Sequence, residues 1–98
     1  MLKHIILWKL KEEYNNDAIK ADMKASLEAL VGKVPGLIEL KVQTECLESS
    51  NVDVMLYSVL ENKEALKGYA VHPEHVAVAD NKVRPFTESR SCIDFEEN

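Results

Sequence analysis

The sequence predicts a single α+β domain, residues 1–98, in which two helices cover one face of a four-stranded antiparallel sheet. Three observations carry that expectation. Apolar residues recur with period two in four segments and at three and four residues in two others, in the order strand, helix, strand, strand, helix, strand. The length of 98 residues fits one domain. At 46% hydrophobic and 30% charged residues, the composition is that of an ordinary globular chain.

Met1–Lys11 reads as the first strand. Leu2, His4, Ile6, Trp8 and Leu10 share one face, and Lys3, Ile5, Leu7 and Lys9 the other. The second face is apolar in its middle, which a solvated face does not require. Asn15-Asn16-Asp17 signals a helix start, because short polar side chains cap free backbone N–H groups. Ile19, Met23, Leu27, Leu30, Val31 and Val34 then form the apolar stripe of a helix of about four turns. Gly32 closes that helix, and Val34-Pro35-Gly36 turns the chain into an extended segment.

Leu37–Leu47 is the second strand, with Ile38, Leu40, Val42, Thr44 and Cys46 expected on one face. Glu48-Ser49-Ser50-Asn51 is a polar turn. Val52–Leu60 is the third strand, again partly apolar on both faces. Asn62 caps a second helix, Lys63 to about Val71, with Ala65, Leu66, Tyr69 and Ala70 as its buried stripe. His72-Pro73 breaks it, since the residue before proline is pushed out of the helical region. Pro73 suits the first turn of a new short helix reaching about Asn81. Glu88–Phe95 is the last strand, with Arg90, Cys92 and Asp94 alternating against Ser91, Ile93 and Phe95. This order is the ferredoxin-like βαββαβ plan. The apolar residues on the face away from the helices need cover, and in a chain this small a second copy supplies it. The pattern therefore predicts a homodimer with two sheets face to face.

Charge and motif content exclude several function classes. A net charge of −5 and a pI near 5.1 oppose contact with phosphate backbones, so no nucleic-acid partner is expected. The longest apolar run near the start is Ile5-Ile6-Leu7-Trp8, too short for a membrane span or a leader. A cytoplasmic protein without membrane association follows as the expectation. Cys46 and Cys92 form no CxxC pair and are expected as free thiols. Glycines stand singly at Gly32, Gly36 and Gly68, so no phosphate-cradling loop and no cofactor are predicted.

The densest group of reactive side chains is Tyr69-Ala70-Val71-His72-Pro73-Glu74-His75. Histidine titrates near neutral pH and suits proton transfer, and a tyrosine hydroxyl can donate to a developing oxyanion. Tyr69, His75 and His4 are therefore the candidate catalytic residues: His75 as base, Tyr69 as oxyanion donor and His4 as an orienting group at the pocket floor. Each also has a structural reading. Tyr69 can be a core aromatic, His72 a helix-stop residue bonded to backbone, His75 a satisfied structural histidine and His4 a buried polar anchor. His72 and His75 have the spacing of metal ligands, but Pro73 breaks the helix between them and no third ligand lies close in sequence, so no metal is predicted. Trp8, His72 and Phe86 are the candidate binding residues. Asp53 and Asp94 are candidate ion-pair partners of Lys82, Arg84 or Arg90.

Lys3-His4-Ile5-Ile6, Val34-Pro35-Gly36-Leu37, Tyr69-x-x-His72-Pro73-x-His75, Arg84 and Asp94-Phe95 together resemble the stress-responsive α/β-barrel domain (Dabb) family over essentially the whole chain. The resemblance implies a ferredoxin-like unit that dimerises into an α+β barrel. Most members have no assigned reaction, and some are linked to stress. One plant member closes a linear polyketide by aldol condensation without a cofactor; its catalytic Tyr and His look like Tyr69 and His75, and its first-strand His looks like His4. Its further pocket histidine has no counterpart at Val52-Asp53-Val54-Met55. Two functions follow as expectations. One is a dimer that binds a small apolar ligand or acts in stress response. The other is a cofactor-independent lyase or cyclase for a small carbonyl or polyketide-like substrate. A pocket joining His4, Tyr69 and His75 favours the enzyme, and a site filled by Trp8 and Phe86 favours the first.

Overall fold

Two asparagines set where the long helices begin. In the computed structural model, which describes residues 1–97, the Asn16 side chain accepts the Ile19 N–H at 2.9 Å and Asn62 accepts the Ala65 N–H at 2.9 Å. Each satisfies a donor that the first helical turn leaves free. The elements are β1 (Leu2–Leu10), α1 (Asp17–Glu28), β2 (Leu37–Gln43), β3 (Val54–Leu60), α2 (Lys63–Val71), α3 (Pro73–Val78) and β4 (Thr87–Glu96). A π-helical turn, Ala79–Val83, and a 3₁₀ turn, Arg84–Phe86, join α3 to β4.

The strands lie in the order β2-β3-β1-β4, all neighbours antiparallel. This is the ferredoxin-like arrangement, with α1 and α2 on one face. Met23, Leu27 and Leu30 pack from the α1 side onto Leu2, Ile6, Leu40, Val42, Val54, Leu56 and Leu60. The edge of β2 is closed by α1: Lys24 Nζ donates to the Val42 carbonyl at 2.8 Å, and Glu28 Oε2 accepts the Val42 N–H at 2.9 Å. Filling both backbone groups at that point blocks another strand from pairing there.

Four local details depart from the periodicity. The register shifts between Leu37 and Glu39, so Leu37, Leu40 and Val42 face the core while Ile38 is turned outward. β2 also ends at Gln43, leaving Thr44 and Cys46 outside it. α1 stops at Glu28, and Val31 is exposed because the chain is already turning there, although Leu30 and Val34 remain buried. In α2, Ala70 is exposed rather than part of the buried stripe.

The opposite face of the sheet carries no helix. Register places Ile5 between Tyr57 and Ile93, with Leu7 beside Met55 and Phe95 beside Lys3. Leu7, Ile93 and Phe95 are 36%, 58% and 37% exposed, so this apolar patch crosses three adjacent strands uncovered.

Candidate functional site

The His72-Pro73 break builds the site. His72 has extended backbone at φ −65° and ψ 132°, which ends α2; its Nδ1 accepts the Glu74 N–H at 3.1 Å and caps α3. Pro73 occupies the first turn of α3, where its missing N–H has no consequence. The chain doubles back, and His75 lays its ring against Tyr69 from the end of α2, with centroids 4.2 Å apart and planes tilted by 37°. His75 Nδ1 lies 3.3 Å from the Ala70 carbonyl oxygen. A carbonyl only accepts, so this contact puts the proton on Nδ1 and leaves Nε2 with a free lone pair.

Tyr69 and His75 line one cavity of about 340 Å³. Ile6, Trp8 and Leu56 of the sheet and Leu27 of α1 supply apolar wall, and the exposed Arg84 and Arg90 add positive charge. Tyr69 is 2% exposed, and its buried hydroxyl has no hydrogen-bond partner among the described residues. Burial pushes its phenol up to about 12, against a smaller pull from Arg90. Burial also holds the His75 imidazole below its ordinary range; Arg84, His4 and Arg90 add to that, and the Ala70 carbonyl opposes it. The site thus keeps a neutral base and a neutral donor side by side.

The other candidates fall elsewhere. Trp8 is buried in the cavity wall. His4 does not line the cavity; Ile6 and Trp8, further along the same strand face, stand there instead. The His4 ring meets Tyr69 edge-on at 6.0 Å, and its Nδ1 is hydrogen-bonded to the Asp94 carboxylate. Phe86 lies outside the lining and packs against Tyr14 instead, with centroids 5.0 Å apart and planes tilted by 59°. His72 is absent from the lining as well, engaged in the cap. The expected ion pairs are also rearranged: Arg84 pairs with Asp80, Lys82 with Asp22, and Asp53 Oδ2 accepts the Leu10 N–H at 2.8 Å.

Arg84 and Arg90 were absent from the sequence-derived site. For Arg90 the missing signal is the β1–β4 register, which pairs it with Trp8. The same register pairs Asp94 with His4 and Cys92 with Ile6, bringing His4, Cys92 and Asp94 together with their ligand atoms within 4.8 Å of one another. His72 and His75, the pair with metal-like spacing, point to different partners.

A family model described as the stress responsive A/B barrel domain matches residues 2–97. A stress-response A/B barrel domain-containing protein of Arabidopsis thaliana is 29% identical over 96 residues, covering 97% of this chain and 36% of that protein. The chain thus spans about a third of the length of that curated relative. A dimeric protein of unknown function and ferredoxin-like fold from Bacteroides fragilis superposes with a TM-score of 0.87 at 33% identity, over 98% of this chain and 95% of that one. The hydroxynitrile lyase of Passiflora edulis shares the fold, with a TM-score of 0.84 at 15% identity over 99% of this chain and 93% of the other. Among the described residues no helix is long and apolar enough to cross a membrane.

Proposed function

The chain belongs to the stress-responsive A/B barrel domain family, and from that premise we propose that it forms a homodimer holding a small, mainly apolar molecule beside Tyr69. The observation that carries the binding reading is the buried, unpartnered hydroxyl of Tyr69, a residue that lines the cavity. A buried donor without a partner costs about 1–3 kcal/mol. A ligand with one acceptor oxygen would satisfy it while its apolar body rests on Ile6, Trp8 and Leu56. The bare apolar patch on the far face of the sheet supports the homodimer, as does the dimeric relative from Bacteroides fragilis. The two exposed free thiols suit a reducing, cytoplasmic setting.

Calorimetric titration with acetophenone and ethylbenzene tests the binding reading. The two have the same ring and differ in one carbonyl oxygen. Wild type should prefer acetophenone, and Tyr69→Phe should remove the preference. Equal binding of both by wild type would overturn the role given to Tyr69.

A second, enzymatic reading is favoured by His75. Its Nε2 has no hydrogen-bond partner among the described residues, and burial favours the neutral form of its imidazole beside Tyr69. That pair suits removal of a proton from carbon next to a carbonyl: His75 takes the proton, the electron pair moves onto oxygen, and the Tyr69 hydroxyl donates a hydrogen bond to the enolate. An aldol-type lyase or cyclase acting on a small carbonyl or polyketide-like compound passes through such an enolate. Deuterium exchange at the central carbon of a small β-diketone reads it directly. His75→Ala should slow exchange by about 10²–10⁴-fold. No acceleration by wild type over buffer would remove the enzymatic reading and leave the binding one.

A further inference from the structure

We propose that His4, Cys92 and Asp94 form a zinc-binding site on the helix-side face of the β1–β4 pair, distinct from the cavity. The three come from a central strand and its edge neighbour, and the antiparallel register alone brings them together. Cys92 Sγ lies 3.7 Å from His4 Nδ1 and 3.7 Å from Asp94 Oδ1. A tetrahedral zinc ion with bonds of about 2.3 Å to sulfur and about 2.0 Å to nitrogen or oxygen sets its ligand atoms about 3.3–3.5 Å apart. The two sulfur distances are already near those edges. The third edge is closed by the His4–Asp94 hydrogen bond, which a small rotation of the exposed Asp94 carboxylate would open.

The donor set selects the metal. One thiolate, one imidazole and one carboxylate suit zinc, and magnesium or calcium would not choose sulfur. Three protein ligands leave a fourth position for water, as in open zinc sites. His4 is 6% exposed, and its strand is fixed by Ser58 Oγ, which donates to the His4 carbonyl at 2.8 Å. Cys92 and Asp94 are exposed on the edge strand, so the ion has a route in from solvent. On binding, the Cys92 thiol proton leaves to water, and the His4 ring exchanges its Nδ1 proton through water for one on Nε2, so that the neutral imidazole gives its Nδ1 lone pair to the ion. The expectation that no metal binds rested on ligands close in sequence; here the third ligand is supplied by a strand some ninety residues away.

Cobalt(II) titration of the metal-free protein tests the site. One equivalent per chain should produce a thiolate-to-cobalt charge-transfer band that zinc abolishes by displacement. Cys92→Ser should lose the band, and Cys46→Ser, which removes the other thiol, should retain it. In wild type, zinc should slow iodoacetamide modification of Cys92 but not of Cys46, read by mass spectrometry; this keeps the test decisive if Cys92→Ser does not fold. Absence of the band, its survival in Cys92→Ser, or equal alkylation of Cys92 with and without zinc would each overturn the proposal.

Discussion

The His75 ring sits 4.2 Å from the Tyr69 ring, centroid to centroid, although the two residues belong to different helices. Pro73 makes this possible by ending one helix and starting the next. The contact buries part of the imidazole, and that burial has a pH signature.

His75 prefers its neutral form in the folded protein. Between the lowered folded value and about pH 6.5 the unfolded chain therefore binds more protons at this site than the folded one. Its contribution to stability is present above about pH 6.5 and is lost as the pH falls through the lowered folded value. Urea unfolding at about pH 7.5 and about pH 5 checks this, with His75→Gln as reference. The stability difference between wild type and variant should shrink on acidification. A difference that grows or stays constant contradicts the burial argument.

Much of this arrangement was legible in the chain. The alternation of Leu2 to Leu10, the caps at Asn16 and Asn62, and the break at His72-Pro73 are all local signals, and each fixed an element. What could not be read was how elements slide against each other. Nothing near Arg90, Cys92 or Asp94 says that they face Trp8, Ile6 and His4; that follows from the β1–β4 register. The shift after Leu37, which turns Ile38 out of the core, is likewise a property of the pairing with β3. Phe86 looked available as a pocket aromatic because its partner, Tyr14, lies in a short 3₁₀ turn with no periodic signal.

The core prediction concerns Met23, which is 0% exposed on α1. Met23→Ala should cost about 2–5 kcal/mol, the usual range for emptying such a site. Thermal or urea unfolding measures it. A loss below about 0.5 kcal/mol would mean that α1 does not anchor the core.

Two glycines separate backbone strain from collision. Gly32 and Gly36 have φ of +93° and +81°. A Cβ at Gly32 would meet nothing within 4 Å, whereas one at Gly36 would fall 2.5 Å from the Ala65 Cβ. Gly32→Ala should cost about 1–2 kcal/mol from the left-handed backbone alone. Gly36→Ala should cost more, because β2 and α2 must also move apart. Equal losses on denaturation would contradict the close approach.

The apolar patch around Ile5, Leu7 and Ile93 predicts the assembly. Two sheets meeting there should bury about 1,200–2,000 Å² in total. Leu7→Glu would place a charge in that contact and should yield a monomer by light scattering. A variant that stays dimeric would place the interface elsewhere.

The central claim is that the buried Tyr69 hydroxyl donates to an oxygen of the bound molecule. Infrared difference spectroscopy of carbonyl-labelled acetophenone, bound to wild type and to Tyr69→Phe, tests it most directly. The bound carbonyl stretch should lie at lower frequency in wild type than in Tyr69→Phe, because the hydrogen bond weakens the C=O bond. The same frequency in both proteins, with acetophenone bound in each, would contradict the account.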